Sequence, residues 1–356
     1  MTNDPRTVHA DPSPRFDVDS VRAALEVAIR APSIHNTQPW RWRLDGDGLA
    51  LVADRARQLA VADPDGHSLL ISCGATLYLA ELALRAAGWQ LRTRCLPDPA
   101  DADLLARLDP VGHGDPDDEL AAQAEAALRR RSDRRPFADA QIGDQDRELL
   151  RAASSDSVAY VDFPDTPDRH VRLAAAVSWA DRVERNDEAY VAEMQRWLRD
   201  PDVHALVDGI PAGVIPHVAA EDRRHTDVPL RDFEVGITGG QLIKHDVDER
   251  PLIAVVFSHA DGPSDHLQAG VAMMRLMVQA ELMGLATCPL SQAVDFAAFR
   301  ARLQGRMGWI GFPQMMLRIG RPSTPITELP LTPRRPVTAV LDVESGAAGQ
   351  GGRALR

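Results

Sequence analysis

SLLISCGATLYLAELALRAAGW, residues 68–89, is a long run with only two charged side chains, Glu81 and Arg85. Its length and mostly apolar surface predict a helix buried on most sides. A second run of the same character, HLQAGVAMMRLMVQAELMGL, occupies residues 266–285. Gly74 and Gly88 of the first match Gly270 and Gly284 of the second at a single offset, 196 residues. One matching glycine would say little, because long helices often stop at Gly. Shared position, length and a following strand point to a duplicated unit.

The flanking sequence repeats in the same order. Residues 18–30 carry the apolar stripe Val21, Ala24, Leu25, Ala28 and Ile29 of a helix, opened by Asp19 or Ser20 and ended by Pro32. Residues 40–44 and 49–52 alternate around an Asp-Gly-rich turn, as a hairpin does. Residues 90–95 read as a strand, and 97–118, rich in Asp and Pro, as loop. Helices at 120–131 and 147–153, a strand at 158–163, one or two helices over 170–197, a buried strand at 252–257 and another at 315–319 complete the second series. The expected organisation is a polar arm (1–17), a first repeat (18–118), a second repeat (119–342) and a flexible tail (343–356). Residues 198–240 interrupt the second repeat with four prolines and five glycines. Ile210, Val214, Ile215, Val218 and Phe233 in this insertion suit a lid that packs, against the plainer reading of a surface excursion.

Composition narrows the function classes. The 356 residues carry 40 basic and 52 acidic side chains, a net charge of −12, with 44% hydrophobic residues. A soluble, acidic protein with ample core material is expected. The run at 271–285 contains Arg275, Gln279 and Glu281, which argues against a membrane span. Acidity and the shortness of the basic run at 129–135 oppose nucleic-acid binding. Cys73, Cys95 and Cys288 form no CxxC pair, so neither a disulfide framework nor a thiolate zinc site is expected, and a reducing cytoplasm fits. The arm has no apolar signal-peptide core. Nothing resembles HExxH, a P-loop, GxGxxG or GxSxG, and no metal is implied.

Three segments carry candidate chemistry. APSIHNTQPWRW, residues 31–42, sets Ser33, His35, Asn36, Thr37 and Gln38 in a short loop before Trp40 and Trp42. Such a loop suits a flat ligand with polar edges, or merely satisfies its own turn while the tryptophans fill the core. RRRSDRRPF, residues 129–137, offers the forked donors of Arg130, Arg131 and Arg134 with the Ser132 hydroxyl to a phosphate monoester, or forms a solvated charged face. Arg334 and Arg335 could complete such a pocket. LATCPLSQ, residues 285–292, is expected to place Pro289, Leu290 and Ser291 in a turn whose backbone groups face a ligand.

With these segments in view, the chain resembles the nitroreductase family of FMN flavoproteins, and within it the Acg-type branch of single-chain, duplicated proteins. The resemblance spans roughly residues 18–342 and is most specific in APSIHNTQPW. It implies an α+β, nitroreductase-like fold: two tandem repeats of an antiparallel or mixed sheet flanked by helices, packed as an intramolecular pseudo-dimer. Ordinary members are similar to one another in carrying an Arg-Arg-Ser-x-Arg-x-Phe phosphate motif and an APSxxNxQPW motif, with FMN at the subunit interface. Here the first repeat has the second motif alone, and the second repeat has the first motif but reads AASSDSVAYVDF where the other would be. Complementary loss implies one surviving site between the repeats. By resemblance, Arg130, Arg131, Ser132 and Arg134, with Arg334 or Arg335, hold the FMN phosphate, while Pro32, Ser33 and Asn36 line the ring and 289–291 offers backbone groups at its reactive edge. Phe137 lies one residue later than the motif has it, and 289–291 lacks the acidic residue and glycine common there.

The expected activity is NAD(P)H-dependent reduction of nitro or quinone-like acceptors in two half-reactions through FMN, with no side-chain acid or base required. The alternative is an FMN-binding or storage protein whose 198–240 segment occludes the ring. A third class is a protein-interaction module using the vestigial second site. A fused pseudo-dimer is expected to be a monomer.

Overall fold

The computed structural model describes residues 14–46, 48–156, 158–164, 166–199, 207–211, 216–217, 241–242, 249 and 251–344. Most of the 198–240 insertion, including Val214, Ile215, Val218 and Phe233, and the tail beyond residue 344 lie outside them.

The front of the chain forms α1 (Val18–Ala28), β1 (Trp40–Asp45), β2 (Gly48–Ala53), α2 (His67–Ala86), β3 (Trp89–Cys95) and β4 (Leu104–His113). Asp17 caps α1, its carboxylate accepting from the Ser20 amide. The rear forms α3 (Asp118–Arg129), α4 (Asp144–Ser154), β5 (Ala159–Asp162), α5 (Pro167–Arg185), α6 (Glu188–Trp197), β6 (Leu252–Ser258), α7 (Pro263–Leu282), β7 (Ala286–Leu290), α8 (Ala297–Met307), β8 (Phe312–Gly320) and β9 (Leu341–Val343).

The duplication is written in strand order. The first sheet runs β9-β1-β2-β4-β3 and the second β7-β8-β6-β5. Setting β9 aside, replacing β1, β2, β3 and β4 by β5, β6, β7 and β8 converts one order into the other, and every pairing so matched is antiparallel. β9 pairs parallel with β1, so the last strand of the rear half completes the front sheet.

The two halves meet where α2 packs on α7. A Cβ on Gly74 would stand 1.9 Å from the Leu267 carbonyl oxygen, and one on Gly270 would stand 2.1 Å from that of Ile71. Ile71 and Leu267 are themselves related by the 196-residue offset, so each contact is repeated with the halves exchanged. That is the self-complementary pattern of a two-fold interface, built within one chain. Only glycine lets the backbones approach so closely.

One core runs through both halves, drawing on Leu25, Trp40 and Leu77 in front and Ala254, Met274 and Leu317 behind. β6 is buried at every position: Leu252, Ala254 and Val256 face this core, while Ile253, Val255 and Phe257 face a second one with Leu173, Val177 and Leu303. Two covered faces explain its unbroken apolar sequence. α2 is long and apolar enough to cross a bilayer, a feature the sequence reading assigned no helix, but 78% of its apolar window is buried inside the protein.

Two segments depart from the sequence reading. Within 97–118, expected as loop, lies β4; Pro110 falls beside a register shift opposite Leu91 and past the stretch that pairs with β2, where no ladder N–H is needed. LATCPLSQ is not a turn, because Ala286–Leu290 forms β7, an edge strand that tolerates Pro289.

Candidate functional site

The loop at 29–39 is built under strain. His35, Asn36 and Gln38 have φ of 46°, 55° and 49°, a left-handed region that non-glycine residues occupy at a cost. Surrounding contacts hold it there. The Gln38 amide donates to Ser33 Oγ (2.9 Å), and the Ile34 amide to Ser72 Oγ on α2 (3.3 Å). Asn36 Nδ2 donates to the carbonyls of Gly209 (2.9 Å) and Pro333 (3.0 Å). Gln38 Nε2 donates to the Val207 carbonyl (2.8 Å), and Gln38 Oε1 accepts from the Arg335 amide (2.8 Å). Trp40 and Trp42 are fully buried and anchor the following strand.

Thus Asn36 and Gln38 clasp residues 207–211 of the insertion to the front half. Arg57 and Arg199 both pair with Asp208, and Glu193 on α6 accepts from the amides of Ala60, Val61 and Ala62. Ile210 packs with Leu59, Tyr190 and Met194.

The basic run meets this loop from the rear half. Arg130 follows α3 directly, and its Nη2 donates to the Arg30 carbonyl at 3.2 Å. Arg334 Nε donates to the Ile29 carbonyl (2.8 Å), and Nη2 reaches those of Arg30 (3.3 Å) and Ala31 (3.2 Å). Two rear guanidinia therefore cover the C-terminal end of α1, whose unpaired carbonyls and dipole favour cations. Arg131 Nε contacts the Leu329 carbonyl at 3.5 Å. Arg30 Nη1 donates to the Thr332 carbonyl at 3.3 Å. Ser132 bridges Thr287 on β7, and the Asp133 amide donates to the Thr287 carbonyl (2.9 Å), so the run lies along the strand that leads to Pro289, Leu290 and Ser291. Ser291 Oγ donates to Asp295 (3.2 Å), and Asp295 also accepts from Ser68 Oγ on α2 (3.3 Å).

Arg30, Arg130, Arg131 and Arg334 thus converge where the halves join. Burial, and then the charge of neighbouring arginines, lowers Arg130 to about 10 and pulls Arg30 and Arg334 below their usual value, and burial alone lowers Arg131. Glu281 is the carboxylate that opposes Arg130 and Arg131, and burial pushes its own pKa up. Arg130 is 5% exposed, and its Nε and Nη1 have no partner among the described residues. Two buried, charged, unsatisfied donors fit an oxyanion. The residues present therefore suit a phosphate-bearing group at this junction.

Arg130, which leads into Arg131 and Ser132, and Arg334 reach the carbonyls of residues 29–31, directly before Pro32 and Ser33. Arg335 turns instead toward Asp54 (3.4 Å), and Arg135 rather than Arg134 clamps Asp133. Arg30, Glu281 and Asp295 join the site without belonging to any of the three segments. Only Arg30 gave a signal, as the charge next to APSIHNTQPW.

No family model matches the chain. A Mycobacterium tuberculosis protein named as an NAD(P)H nitroreductase is 33% identical over 327 residues, which cover 92% of each chain. The chain belongs to the nitroreductase family. A second nitroreductase-named relative from that organism, Acg, is 29% identical over 334 residues, covering 94% of this chain and 98% of its own. Among solved nitroreductases, NfnB from a Sphigopyxis strain is 19% identical, covers 63% of this chain and 99% of its own, and has a TM-score of 0.37. A nitroreductase with bound FMN from Desulfitobacterium hafniense is 12% identical, covers 60% of this chain and 93% of its own, and has a TM-score of 0.36.

Proposed function

We propose that this chain is an FMN-dependent NAD(P)H oxidoreductase that reduces nitro or quinone-like acceptors at one site between its halves. The observation that carries the reading is Arg130, buried with two unpartnered nitrogens among three further guanidinia at that junction. Arg130, Arg131, Ser132, Arg134 and Arg334 would hold the phosphate of FMN. Pro32 and Ser33 would lie along the ring, and the backbone of Pro289, Leu290 and Ser291 at its reactive edge. When bound, FMN would take hydride from NAD(P)H and pass the electrons on to the acceptor.

The chain's own task is binding, shielding and orientation. Ser291 is held by Asp295, and Asp295 by Ser68, so α2 of the front half sets the position of a rear-half loop at the ring edge. A monomer in the cytoplasm is the expected form. Purified protein should be yellow, and anaerobic addition of NADPH or NADH should bleach it. Yellow protein that stays oxidised under both supports the storage reading instead, and protein that takes up no FMN refutes the site.

A further inference from the structure

We infer that Arg30, contributed by the front half, is a direct ligand of the same phosphate that Arg130, Arg131 and Arg334 of the rear half hold. The inference rests on the FMN reading above and adds a residue outside every motif that supports it.

Charge accounting within the cluster comes first. Arg30, Arg130, Arg131 and Arg334 have no carboxylate within ion-pair distance among the described residues, whereas Arg41, Arg43, Arg55, Arg57, Arg94 and Arg107 of the front half each do. Glu281 is shared among Arg129, Arg130 and Arg131, and its closest described approach is 3.7 Å, to Arg129. Four clustered guanidinia against one carboxylate leave a surplus of three positive charges in a partly dehydrated junction. Such a surplus is costly unless a multiply charged anion joins it.

Geometry then places Arg30 in that surplus. Its carbonyl accepts from both Arg130 and Arg334, so its backbone is what the two rear guanidinia are oriented on. Its side chain feels the charge of Arg131 and in turn depresses Arg130 and Arg334. Only one of its five donors has a described bond, a 3.3 Å contact from Nη1 to the Thr332 carbonyl. A phosphate held by Arg130 would therefore be clasped from both halves, with ligand binding and association of the halves coupled.

The test compares FMN with riboflavin, which lacks the phosphate, by flavin fluorescence quenching on the full-length apoprotein, for wild type, Arg30→Gln, Arg30→Ala and Arg30→Lys. Gln keeps an N–H for Thr332 and loses the charge. Arg30→Gln and Arg30→Ala are expected to weaken FMN by roughly 10- to 100-fold, the range for a lost charged hydrogen bond. Riboflavin should be unaffected, and Arg30→Lys, the mildest change, should retain most FMN affinity. An Arg30→Gln protein that binds FMN within about twofold of wild type overturns the inference alone. So does an equal loss of FMN and riboflavin, which would mean a structural role. Wild-type protein that binds neither flavin overturns the proposed function, and Arg30's part with it.

Discussion

The Cα of Gly270 lies 3.0 Å from the point where a Cβ on Gly74 would stand. The two glycines occupy equivalent places in the two halves, so either substitution must push α2 and α7 apart. Gly74→Ala and Gly270→Ala should each cost about 3 kcal/mol or more, beyond the usual range for an added methyl, because the obstacle is backbone that cannot rotate away. Thermal midpoints should fall by roughly 4 °C or more. The double variant should lose less than the sum, since the first methyl already opens the contact the second would meet. Additive losses would show that the two positions do not share one interface.

The rear half joins α4 to β5 through residues 155–158, where the front half uses 29–39 between α1 and β1. Asp156 of that short link is paired with Arg275 at 2.9 Å. With no second loop to receive a ring, equilibrium dialysis should give one FMN per chain. Arg130→Ala should weaken that single site by about 100-fold through the loss of its unpaired donors.

Asp63 accepts from the Ser68 and Leu69 amides at the start of α2, yet burial, with Asp295 and Asp65 nearby, raises it to about 7. The sign follows from linkage: between its unfolded value near 4 and about 7 the folded chain holds a proton that the unfolded chain has lost. Asp63 therefore contributes a loss of stability as pH rises through that window. Urea midpoints measured across pH 4–7 should decline less steeply in Asp63→Asn. An unchanged slope would show that Asp63 titrates normally.

Asn36→Ala removes two donors at once and leaves the Gly209 and Pro333 carbonyls unmet. A cost of about 2 kcal/mol should appear locally rather than globally, as a roughly 30-fold rise in hydrogen exchange at Gly209, whose amide faces the Asn36 carbonyl. Little change there would mean that Gln38 and Asp208 hold residues 207–211 without it.

What the sequence disclosed and concealed divides along physical lines. The duplication was legible because close helix packing admits only glycine, and glycine leaves a mark at Gly74 and Gly270 that no other residue can imitate. Strands β4 and β7 were hidden by Pro110 and Pro289, which read as breaks until their edge or bulge positions are known. The convergence of Arg130 and Arg334 on Ile29, Arg30 and Ala31 joins residues about 100 and 300 positions apart. Composition showed only a charge run there, equally consistent with a solvated face. The Asn36 side-chain amide fastens Gly209 and Pro333, a role that no local pattern could reveal.

The pairing of Leu341–Val343 with β1 sets an order on biosynthesis. While the ribosome is still making the rear half, β1 presents an open row of amides and carbonyls to whatever else is in the cell. Closing that row waits for a strand made about 300 residues later, so the nascent front half is the stage at which this chain is most exposed to misassembly and most in need of a chaperone.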